Sequence, residues 1–170
     1  MSAALDLAEA RDMLRSAYGV EARWSADGGY ETPADWLASL LAALAPELAS
    51  PADLPAAARF AFDDRVIVTE SALPYLAGPR AGDVLREFAG RLERVERATP
   101  EVVKALFDEL RATLKAAWGL RGREVMMPIR VALTGAVAGP CLEIVVCLLG
   151  RRRCLERLGH TPAQLPGGFS

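Results

Sequence analysis

Met126-Met127-Pro128-Ile129-Arg130-Val131-Ala132-Leu133-Thr134-Gly135, followed four residues on by Gly139-Pro140, is the stretch that decides how this chain is read. A proline entry, one arginine among apolar residues and a Thr-Gly exit describe a short packed helix. Gly139-Pro140 then reads as the start of another, with Pro140 at its first helical position. The pattern continues outward, predicting a helix from Pro140 to about Leu149 and another from Arg151 to Leu158, ahead of a Pro/Gly-containing tail.

Upstream the same punctuation recurs. Leu5, Leu7, Ala10, Met13, Leu14 and Ala17 fall near one helical face, and Gly19 stops that run. Thr32-Pro33, Ser50-Pro51 and Thr99-Pro100 each pair an N-cap residue with a proline at the first turn. Further helices are predicted at about 79–96 and 99–117, the latter closed by Gly119. Val66-Ile67-Val68 is the only short β-like run, and one isolated run reads as an extended connector. The fold class expected is therefore all-α, with two small helical bundle subdomains. The Gly78-Pro79 break suggests their boundary, giving an N-terminal extension at 1–31, a first subdomain at 32–78, a second at 79–160 and a tail at 161–170.

At 52% hydrophobic and 25% charged, the 170-residue chain has enough apolar material for a packed core. Ala and Leu dominate and aromatics are few, which favours helix. No apolar run reaches the eighteen or so residues that cross a bilayer, and the start lacks a signal-peptide pattern. A cytoplasmic location without membrane association is expected. Cys141, Cys147 and Cys154 share no C-x-x-C spacing, so they read as small buried residues on helices, with no metal site. His160 is the only histidine and reads as a surface residue.

A net charge of −2 does not mark a general nucleic-acid binder, but its distribution is uneven. Residues 111–157 hold nine Lys/Arg against three acids, a local balance of +6 that leaves −8 elsewhere. Within it, Arg130 must find acceptors or project from the bundle edge, because an unpaired buried charge is costly. An ion pair with a nearby acid is one reading; a guanidinium held to meet base edges or phosphate is the other. The Gly139-Pro140 turn is a helix start that can also present amides to phosphate. Leu142 beyond it is either core or an apolar face for an unpaired base. Arg151-Arg152-Arg153 places three cations at a helix N-terminus against the macrodipole, which solvated charge or contact with an RNA backbone would explain. Arg121 and Arg123 flank Gly122 and read as a flexible basic loop suited to phosphate.

These residues resemble the C-terminal anticodon-binding region of bacterial glutamyl-tRNA synthetases. Pro128-Ile129-Arg130, Ala132-Leu133-Thr134-Gly135, Gly139-Pro140, Leu149-Gly150 and the basic C-terminal helix carry the resemblance. It is specific over 126–158 and looser back to residue 32; residues 1–30 have no clear counterpart. The resemblance implies that Arg130, Gly139, Pro140 and Leu142 contact anticodon bases, with Arg121, Arg123 and Arg151 on the RNA backbone. The implied partner is a tRNA of glutamate type. Glu47 stands where many relatives carry an arginine that assists recognition, which bears on that specificity.

The catalytic half of that family uses an HIGH-type motif and a KMSKS-type loop. One histidine followed by Thr161, and two lysines within one predicted helix, supply neither. No G-K-[ST] phosphate loop is present. The expectation is an anticodon-binding module, stand-alone or excised, with no catalytic residues, cofactor or aminoacylation of its own. The competing reading is a repurposed helical domain that docks on a synthetase catalytic chain or a tRNA-dependent enzyme.

Overall fold

The computed structural model describes residues 5–160. Every regular element among them is helical: α1 Leu7–Tyr18, α2 Pro33–Leu44, α3 Leu54–Ala57, α4 Arg59–Phe62, α5 Leu73–Ala77, α6 Ala81–Leu92, α7 Pro100–Trp118, α8 Gly122–Thr134 and α9 Leu142–His160. The expected all-α class is what the chain adopts. The tail at 161–170 and the side chain of His160 lie outside the described residues. No single helix among those described is long and apolar enough to cross a membrane.

The cap signals act as their chemistry dictates. Thr32 accepts from the Asp35 N–H at 3.1 Å, and Thr99 from the Val102 N–H at 3.4 Å. Ser50 and Asp53 satisfy each other's backbone donors in a capping box. Gly19 and Gly119 close α1 and α7 in the left-handed conformation.

Two apolar cores result. The first joins Ala10 and Leu14 of α1, Trp36, Leu37, Leu40 and Leu44 of α2, Leu54 of α3 and Phe62 of α4. Phe62 stacks on Tyr18 at 4.6 Å and meets Trp36 edge-on at 5.5 Å. The second core gathers α5 to α9 around Phe88, Phe107, Ile129 and Val145. These cores divide the chain differently from the expected boundaries. Ala72 and Leu76 precede Gly78-Pro79 yet pack into the second core. Helix α1, expected as part of an extension, is integral to the first.

Helix α9 ties the cores together. It breaks at Gly150 (φ 78°, ψ 168°), so its segments match the two helices expected before and after that residue. Leu148 packs in the first core and Val145 in the second. The Leu148 carbonyl, released by the break, accepts from Trp36 Nε1 at 2.7 Å. The Asp27 loop fits into the kink, where its carboxylate accepts from the Arg152 N–H at 2.7 Å. A Cβ on Gly150 would lie 2.4 Å from Asp27 Oδ1, so this approach requires glycine. An acid from a distant loop thus supplies the negative charge that the Arg151-Arg152-Arg153 helix start lacks locally.

Candidate nucleic-acid interface

Two expectations about the helix carrying Arg130 are corrected. Pro128 does not open α8 but sits inside it, and the helix begins six residues earlier at Gly122. Arg121 and Arg123 are therefore not a flexible loop. Arg121 is the N-cap residue, its N–H donating to Glu124 Oε1 at 3.0 Å. Arg123 lies in the first turn, lays its guanidinium over the Tyr75 ring and donates to its hydroxyl at 2.8 Å.

At the other end of α8, Arg130 is half-buried and turns to the loop that follows. Its Nη1 donates to the Pro140 carbonyl at 2.9 Å. Among the described residues it makes no ion pair, so the acid-paired reading gives way to a guanidinium bracing the Gly139-Pro140 turn. Burial lowers its pKa, while Cys141 and Glu47 oppose the shift. The Thr134 hydroxyl donates to the Arg130 carbonyl at 2.9 Å and accepts from the Ala136 N–H at 3.2 Å, fixing the exit from α8.

This turn forms one wall of a cleft of about 400 Å³ between the two cores. Thr134, Gly135, Gly139 and Pro140 line the cleft from α8 and the turn, and Glu47, Arg59, Phe60 and Asp63 line it from earlier in the chain. Arg65, Val66, Ile67 and Thr69 of the intervening connector add to the lining. Thr69 N–H donates to the Gly135 carbonyl at 2.9 Å. A Cβ on Gly135 (φ 80°) would lie 2.0 Å from the Ile67 carbonyl, so the Thr-Gly exit is what lets the connector close over the end of α8.

The sequence-nominated residues do not all converge here. Gly139 and Pro140 line the cleft, and Arg130 reaches them from behind that lining through its bond to the Pro140 carbonyl. Pro140 precedes α9, which starts at Leu142. Leu142 is only 4% exposed and belongs to the second core, so it offers no free face for a base. Arg121 and Arg123 lie at the opposite end of α8, about 10–14 Å along the axis. Arg151 donates to the Glu93 carbonyl at 3.0 Å, capping the C-terminal end of α6. Cys147 and Cys154 are buried as expected, but Cys141 is exposed.

The basic helix also changes meaning. Arg153 and Arg157 are 5% and 4% exposed. Arg153 donates to the Ala61 carbonyl at 2.8 Å, and Arg157 to the Leu133 and Asp63 carbonyls at 2.6 and 2.7 Å. Together with Arg23, which donates to the Phe62 carbonyl at 2.6 Å, they satisfy the C-terminal end of α4. Burial, with Arg157 and Arg23 nearby, lowers the Arg153 pKa to about 9, leaving it charged at neutral pH. Sequence reasoning missed this internal role, since the acceptors lie some 90 residues away. It also missed Arg59, Arg65 and Ile67 as cleft residues; the Val66-Ile67-Val68 run was the available signal.

An all-α module with an arginine-braced turn opening onto a mixed apolar and charged cleft is an architecture suited to gripping a nucleic-acid loop. A profile of the anticodon binding domain matches residues 7–162, and the chain belongs to that family. It is homologous to the C-terminal region of glutamate–tRNA ligases. The glutamate–tRNA ligase of Exiguobacterium sibiricum is 37% identical over 123 residues, covering 72% of this chain and 25% of the ligase. That of Lysinibacillus sphaericus is 32% identical over 123 residues, covering 72% and 24%. The chain thus spans about a quarter of the length of these curated relatives. A glutamate tRNA ligase from Elizabethkingia meningosepticum, crystallised in complex with its amino acid, shares the fold with a TM-score of 0.70. At 18% identity, the alignment covers 89% of this chain and 28% of that one. The family match starts at residue 7, so α1 falls within the shared domain although residues 1–30 had no recognisable counterpart.

Proposed function

We propose that this chain binds the anticodon loop of a tRNA, of glutamate type, in the cleft beside Arg130. The observation that carries this is the Arg130–Pro140 hydrogen bond, which ties a half-buried guanidinium to the Gly139-Pro140 turn, and that turn lines the cleft. Arg130 spends one N–H on that carbonyl, and its remaining donors suit the acceptor edges of bases or a phosphate. Arg121 and Arg123, at the far end of α8, serve as sequence-independent backbone contacts. Glu47 places a carboxylate where it accepts from an exocyclic amine and repels phosphate, which biases base choice. The chain carries out no amino-acid activation by itself, and ATP–pyrophosphate exchange with the purified protein stays at background.

A second reading, docking on a protein, draws on a groove of about 260 Å³. Pro74, Tyr75, Pro79, Leu120 and Pro128 line it, with Arg80 stacked on Trp118 beside it. Fluorescence anisotropy with a glutamate-anticodon stem-loop and a scrambled-loop control separates the two. Neutralising about two to four phosphates gives a log affinity that falls with log salt at a slope of roughly −1.5 to −3. Preference for the glutamate loop with that slope supports the RNA reading. Absence of RNA binding, or affinity independent of salt, contradicts it.

A further inference from the structure

We propose that the connector 65–69 is a second RNA-contacting element of the cleft, in which Ile67 packs on an unpaired base and Arg65 meets an adjoining phosphate; this rests on the reading of the cleft as an RNA site. The connector forms no regular helix, and exposure alternates along it from Arg65 to Thr69. Val66 is buried and Val68 packs against the second core. Arg65, Ile67 and Thr69 share the exposed row, and all three line the cleft, together with Val66. Ile67 is 62% exposed, more than any other large apolar residue described. That exposure is imposed by the fold. Val66 anchors one side, the Thr69–Gly135 hydrogen bond the other, and Gly135 leaves room only for the Ile67 carbonyl. An exposed apolar side chain in a cleft of mixed lining is a packing face for a flat, weakly hydrated group such as a base.

Charge places the strand. Arg65 is exposed and makes no ion pair among the described residues, because the adjacent acids are already engaged. Asp63 pairs with Arg59 at 2.6 Å and Asp64 with Arg23 at 2.8 Å. Arg65 and Ile67 are two residues apart, at most about 7 Å along the chain, close to one nucleotide step of an unstacked chain. Glu47 lies elsewhere on the cleft lining, which disfavours phosphate there and assigns the backbone to the Arg65 side. Thr69 adds a hydroxyl to the same row, within 3.4 Å of the Ser71 hydroxyl.

The test uses the full chain and an anticodon stem-loop carrying 2-aminopurine in its loop. Ile67→Ala weakens binding about 5-fold, the low end for a base-packing side chain, and leaves the salt slope unchanged. Ile67→Trp tightens binding and quenches 2-aminopurine further, because an aromatic face stacks better. Arg65→Ala reduces the magnitude of the salt slope by about 1. Thermal melts by circular dichroism check that each variant is folded, as expected for exposed positions. If the parent chain binds the stem-loop and these substitutions leave affinity, slope and quenching unchanged, the connector has no RNA role and the cleft reading survives. If the parent chain binds no RNA, both fail together.

Discussion

The last third of the chain contains two environments for the same residue types, one sealed and one open. In the sealed part, after the Gly150 kink, Arg153 and Arg157 are buried, each donating to backbone carbonyls from the region around α4, with Arg157 also bordering the cleft. In the open part, before α9, Arg130 is half-buried and braces a turn on the wall of a cleft. The cysteines divide in the same way, with Cys147 and Cys154 buried and Cys141 exposed. The contrast teaches that a count of basic residues along a helix says little about its ligand. A guanidinium goes inside where the carbonyl end of another helix needs donors. It stays available where the next segment of backbone is a turn.

The largest expected effect lies in the sealed part. Arg157→Ala leaves the Leu133 and Asp63 carbonyls without that donor and loses about 2–5 kcal/mol of stability, measured by urea denaturation. Arg157→Lys restores little of it, since an ammonium lacks the planar fork that reaches two carbonyls. A loss below about 0.5 kcal/mol, the range of ordinary surface substitutions, breaks the distinction between the two parts.

Asp27→Ala comes next. It removes the carboxylate that accepts from Arg152 N–H at the restart of α9, so stability falls by about 1–2 kcal/mol, as for other lost N-caps. RNA affinity under native conditions stays unchanged, because Asp27 is not among the residues lining the cleft.

The thiols sharpen the comparison further. Burial pushes Cys147 and Cys154 up to about 12, so a maleimide or Ellman titration of the native protein at pH 8 labels Cys141 first. A raised folded-state thiol pKa means that the unfolded chain releases protons first. The corresponding stability is fully present below about pH 9, the unfolded value, and is lost as pH rises toward 12. Serine at both positions flattens that alkaline limb of the stability curve. Equal labelling rates for all three thiols contradict the sealed packing.

What could be read beforehand follows from how local each signal is. Helix starts at Thr32, Ser50 and Thr99 depend on residues within four positions, and they were legible. The break at Gly150 was also visible as a boundary between two predicted helices. Pro128 misled, because proline marks helix starts by frequency while this one is buried inside α8, whose Val125 and Ile129 on either side belong to the second core. Leu142 could be core or platform from sequence alone; only tertiary packing buries it. The inward turn of Arg153 and Arg157 depends on acceptors far away in the chain. The cleft connector was visible as an extended run, but its outward row depends on Gly135 meeting Ile67.

In the proposed complex Arg130 reads a base beside the open cleft. The direct measurement is the affinity of Arg130→Ala for stem-loops that differ only in the anticodon, at fixed salt, with folding checked by thermal melt. Loss of about 1–3 kcal/mol on the glutamate anticodon and distinctly less on the others, with the fold retained, is the predicted result. An equal loss on every stem-loop, or an unfolded variant, contradicts it and leaves Arg130 as a brace for the Gly139-Pro140 turn.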